Sequence, residues 1–139
     1  ITTLTNKIGG NTLTVATNAA NGFTVFTRNT QLLTSGASTI LAHTGSNASP
    51  SAFPAAGVTE AFGYTTDDTT LSGGTPARFT TPGNYWAGFG TTFTGNEVFY
   101  SGTPISSTAV KVGMQLSIVG TTKAGSYTTV VEYSAVPVY

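Results

Sequence analysis

No cysteine occurs in the 139 residues, so neither disulfide staples nor thiolate metal sites are open to this chain. Charge is almost as scarce. Lys, Arg, Asp and Glu make up 7% of the sequence, against about 25% in an average soluble domain, and the formal net charge is zero. The five cations, Lys7, Arg28, Arg78, Lys111 and Lys123, stand singly along the chain. Scattered in this way they cannot track a run of phosphates or gather on an anionic bilayer, which argues against nucleic acid or a lipid surface as partner. Apolar runs are short as well: none reaches the roughly 18 residues of a membrane-spanning helix. With one histidine in the whole chain, the stock of general acid–base groups is small.

What is present is material for a core. Hydrophobic residues make up 39% and aromatics 11% of the chain, too many for a disordered segment. About a fifth of the residues are threonine, whose β-branched side chain suits a pleated, half-buried surface. The polar face is therefore hydroxyl, an arrangement better suited to an assembly than to a free monomer. Ile1 in place of an initiating Met predicts a leader that has been cleaved or that lies outside this sequence, and the expectation is an extracellular, cell-surface protein.

Strand signals recur as period-2 alternation bounded by Gly, Asn and Pro. Over residues 11–17, Leu13 and Val15 share one face; over 23–27, Phe23 and Val25 do. The Asn21-Gly22 pair between them predicts a hairpin or a corner. A short strand or turn falls at 32–40 around Ser35-Gly36, a long Ser- and Pro-rich loop at 43–57, a strand at 59–65, and a turn-rich stretch at 67–84. Residues 110–118 alternate strictly, which places Val110, Val112, Met114, Leu116 and Ile118 toward the core and Lys111, Gln115 and Ser117 away from it. No helical periodicity appears. The expectation is one all-β domain over 1–139, an antiparallel β-sandwich of jelly-roll or immunoglobulin-like kind, with residues 1–10 as a donated N-terminal strand and hinge.

Candidate chemistry is thin. His43 has no Gly-x-Ser-x-Gly elbow to serve and reads as an exposed loop histidine. Asp67-Asp68 lacks the spacing of a calcium loop and reads as a turn cap. Glu97 and Glu132 lie in strands, there to face solvent or to pair with Lys or Arg. Asn47-Ala48-Ser49 fits the glycosylation sequon. The sharpest feature is the aromatic segment 85–93, with Tyr85, Trp86, Phe89 and Phe93, which packs in a core or interface or, in the alternative, stacks on sugar rings. No catalytic residue, metal site or cofactor is expected.

Three blocks in order, residues 15–25, 60–64 and 124–133, resemble secreted surface proteins of small-genome candidate-phyla bacteria, with Phe23 where that pattern has Tyr. In plan the chain also resembles, more loosely, the sandwich subunits of TasA-type fibres and archaeal bundling pili. The resemblance implies a structural subunit whose N-terminal strand is donated to the next copy. Here that strand is Ile1, Thr2, Thr3, Leu4 and Thr5, released by Gly9-Gly10. A head-to-tail joint of this kind propagates as a filament of identical copies. The alternative function is an adhesin domain binding cell-surface glycans through the aromatic loop.

Overall fold

A computed structural model describes residues 5–81 and 83–139. Among the described residues nine strands follow one another: β1 (Lys7–Thr17), β2 (Phe23–Asn29), β3 (Leu33–Ser35), β4 (Ser38–Ile40), β5 (Ala61–Thr66), β6 (Ala87–Gly88), β7 (Glu97–Ser101), β8 (Ile105–Ser117) and β9 (Val131–Pro137). Among the described residues there is no helix. A four-stranded sheet in the order β1-β8-β5-β6 packs against a three-stranded sheet in the order β7-β2-β9, and β3-β4 forms a small hairpin. The ladders are antiparallel. This is the all-β sandwich that the alternating pattern predicts.

The core lies between the two sheets. Phe23 and Val25 from β2 meet Tyr64 from β5, Phe99 from β7 and Val110 and Val112 from β8, with Leu71, Phe79 and Phe89 brought in by loops. Burying a side chain of this size stabilises the fold by about 1.5–3 kcal/mol. Leu13 and Val15 pack on the cluster from one side, and Val131 and Tyr133 from the other sheet.

Asn21-Gly22 turns a corner between sheets. β1 pairs with β8, whereas β2 pairs with β7 and β9, so the chain changes layers there. Gly22 has φ 73°, and a Cβ on it would lie 1.9 Å from the Ser101 carbonyl oxygen. Only glycine fits.

Two expectations need correction. β1 begins at Lys7, not Asn11, and Gly9 and Gly10 lie inside its ladder opposite Met114 and Gly113. They form no hinge, and Lys7 and Ile8 pair with their own chain; Ile1, Thr2, Thr3 and Leu4 lie outside the described residues. In β8, Val110 and Val112 are buried and Lys111 exposed as expected, but Gln115 and Ser117 are buried too. The reason is a third layer. Loop residues 43–57 and Trp86 cover the outer face of β5 and β8, where Gly63 and Gly113 leave room: a Cβ at Gly63 would lie 2.9 Å from the His43 Cβ, and one at Gly113 would lie 3.6 Å from the Trp86 ring. Meanwhile Met114, Leu116 and Ile118 are only half buried, and a cavity of about 380 Å³ opens among Ile40, Leu116, Ile118 and Tyr127.

Candidate functional site

The polar side chains fold inward and act as tethers. Arg78 and Glu97 are 4% and 2% exposed, with Arg78 Nη2 3.1 Å from Glu97 Oε2. Arg78 also donates from Nε to the Asn47 carbonyl at 2.7 Å and from Nη2 to Asn47 Oδ1 at 2.6 Å. Glu97 accepts from the Ser72 amide and hydroxyl at 2.9 and 2.7 Å and from the Gly73 amide at 2.8 Å. Burial alone would raise its carboxyl. The Gly73 amide, the Ser72 hydroxyl and amide and the Arg78 guanidinium together outweigh burial and hold it below its ordinary 4.5. Asn47 in turn donates to Tyr64 Oη at 2.9 Å and to the Glu97 carbonyl at 2.7 Å. Burial pushes the Tyr64 phenol up, so it stays neutral. This network pins both long loops to the sandwich and consumes the Asn47 amide, so the sequon residue is a buried structural partner in this fold.

His43 is a third correction to the reading of the residues: it is buried, not exposed. It stacks on Phe53 with centroids 5.1 Å apart, Phe53 meets Trp86 edge-on at 5.4 Å, and His43 Nε2 lies 3.0 Å from Ser51 Oγ. Burial lowers its pKa below 6.5, partly offset by Ser51. The Ser51 amide and carbonyl are both bonded to Trp86, and among the described residues the His43 imidazole has Ser51 as its side-chain partner and no carboxylate. The aromatic segment is likewise packed. Trp86 is 7% exposed and Phe89 is buried; Tyr85 and Phe93 are half buried, with Arg28 lying over the Phe93 ring at 4.6 Å. A stacking platform needs an open ring face, which Trp86 and Phe89 lack.

Of the remaining carboxylates, Asp67 and Asp68 hold backbone amides. Asp68 Oδ1 accepts from the Thr70 amide and hydroxyl, each at 2.7 Å, and its Oδ2 from the Tyr100 amide at 2.8 Å. Asp67 accepts from the Lys111 amide at 2.7 Å. Glu132 pairs with Arg28 at 2.7 Å. Among the described residues no group of three or more metal-ligating side chains converges.

Among the described residues, the two large sheets differ in how their edges are covered. The outer edge of β7 is sealed by side chains: Asn47 Nδ2 reaches the Glu97 carbonyl, Thr66 Oγ1 the Val98 carbonyl, Asp68 the Tyr100 amide and Thr70 Oγ1 the Tyr100 carbonyl. The edge at β6 is sealed by the 45–51 loop, with Ser51 and Trp86 exchanging amide and carbonyl at 3.0 and 2.8 Å and the Gly88 amide reaching the Gly45 carbonyl at 2.7 Å. Among the described residues, β1 and β9 pair on one side only. Both lie on the same flank: β7 stacks over β5 through Thr66 and Val98, which sets β9 over β1, where the Tyr133 phenol sits beside Asn11. Exposed valines run along and beside β9, at Val130, Val136 and Val138, ending in Tyr139 at 85% exposure; Ile8 on β1 is 69% exposed. The sequence shows these residues but not which edges the loops would seal. Comparison of the chain with protein-family models, with curated proteins and with solved structures gives no match.

Proposed function

We propose that the protein is a non-catalytic building block, a structural subunit of an extracellular filament or surface coat, whose copies join by adding strand to strand. One observation carries the reading: two sheet edges are closed by dedicated side chains and a loop, while β1 and β9 run open on one flank with large apolar side chains beside them. An open edge is a template for another strand, and soluble proteins normally blunt such edges with charge, proline or a covering loop. Here the described part of β1 carries a single charge, Lys7. The low overall charge supports the same reading, because little electrostatic repulsion opposes close packing of copies.

The test is sedimentation velocity of the purified chain over a hundredfold concentration range, with negative-stain microscopy of the concentrated sample. Self-association into regular particles or fibres is expected. A strictly monomeric species at every concentration would overturn the reading.

A further inference from the structure

We propose that the joint between copies is the outer edge of β1 paired antiparallel with β1 of a second copy, about a two-fold axis passing at Thr12. The inference rests on the self-assembly reading and names its partner strand.

Three observations lead here. First, of the two open edges β1 is the longer, with eleven residues against seven in β9, and so presents more unpaired amides and carbonyls. Second, the strand is self-complementary. Full antiparallel overlap of Lys7–Thr17 with its own copy centres on Thr12 and sets Lys7 against Thr17, Ile8 against Ala16, Gly10 against Thr14 and Asn11 against Leu13. No like charges meet, and the exposed Ile8 gains an apolar neighbour. Third, β1 and β9 share a flank. A foreign peptide strand covers one edge and leaves the other open, whereas a two-fold copy extends the four-stranded sheet into an eight-stranded one and brings its own β9 edge to face β9 across the same seam. Isologous contacts have this property: one patch, used twice, closes itself.

The joint uses residues the structure describes and does not depend on donation of residues 1–4. The pair closes on itself at this seam, so an assembly larger than two copies would use other faces of the molecule.

The experiment is a charge swap at the axis. Thr12 is exposed, so Thr12→Lys and Thr12→Glu should each keep the fold, checked by near-ultraviolet circular dichroism, and Thr12→Ser should associate as the unaltered chain does. Across the axis each charged variant faces its own charge, so each alone should sediment at half the mass of the unaltered pair. Mixed in equal amounts, the two should recombine into a one-to-one pair. If the charged variants fall apart but do not recombine, Thr12 does not face Thr12 and the proposal is overturned. Were Thr12→Lys and Thr12→Glu to associate undiminished, the β1 joint would be wrong while self-assembly stood, and loss of association in Val136→Lys would then place the joint at β9. An unaltered chain that is monomeric throughout would remove both this joint and the function it rests on.

Discussion

At the scale of single residues, the chain spends its few charges where they cost most to lose. Arg78 and Glu97 are both buried, and removing one partner leaves the other desolvated and uncompensated, a loss of about 3–5 kcal/mol. Glu97→Gln is therefore expected to lower the denaturant midpoint sharply at pH 7. Its pH dependence should also differ. The Glu97 carboxyl is depressed in the fold, so its contribution is fully present above 4.5 and is lost as pH falls through the depressed native value. The unaltered protein should lose stability across that range, and Glu97→Gln should show a flatter profile there. Parallel profiles would mean that Glu97 is not the titrating group. His43, also depressed, adds a loss that begins as pH drops below 6.5. The sequence offered a Lys or Arg partner as one of two fates for Glu97, but neither which cation it is nor that the pair is buried. Arg78 and Glu97 are 19 residues apart across turns and a strand start, and His43 sits among small and polar neighbours that read as solvent-facing. A usable signal lay in Gly63, Gly88 and Gly113, since glycine inside a strand marks the close approach of something else.

Elements were legible where one face is buried and one is wet. The alternation in β2 and in the first half of β8 is read correctly because residue type there answers a single question, core or water. It fails in the second half of β8, where a loop covers the outer face and Gln115 and Ser117 are buried with it. The paired Asn21-Gly22 signal marks a turn correctly but cannot say whether the next strand stays in its sheet. The edge of β7 is beyond such reading altogether, because its seal is assembled from Asn47, Thr66, Asp68 and Thr70, all distant from it in sequence. Those bonds have a checkable consequence. Asp68→Ala frees the Tyr100 amide, so hydrogen exchange at Tyr100 should accelerate by at least tenfold while the amides of β2 keep their protection. Unchanged exchange at Tyr100 would show that another group holds this edge.

For the molecule as a whole, the balance of forces predicts how association responds to its medium. Assemblies held by charge weaken as salt rises, because screening shortens the reach of each pair to about 10 Å at 0.1 M and about 3 Å at 1 M. This chain has five cations and five anions in all, and two of the cations are already committed within the fold, Arg78 to buried Glu97 and Arg28 to Glu132. Little charge is left for salt to screen. Contacts made by backbone pairing and by exposed Ile8, Val136 and Val138 instead follow the rules of apolar burial, which excluded kosmotropic salts strengthen and which urea weakens by solvating both apolar and peptide groups. The dissociation constant of the assembly is therefore expected to change less than threefold between 20 mM and 500 mM sodium chloride. It should tighten in ammonium sulfate and loosen in urea concentrations below those that unfold the subunit. Sedimentation equilibrium across these three series gives the answer, and a tenfold or greater weakening by sodium chloride alone would mean that the joint depends on ion pairs and not on backbone pairing and apolar burial.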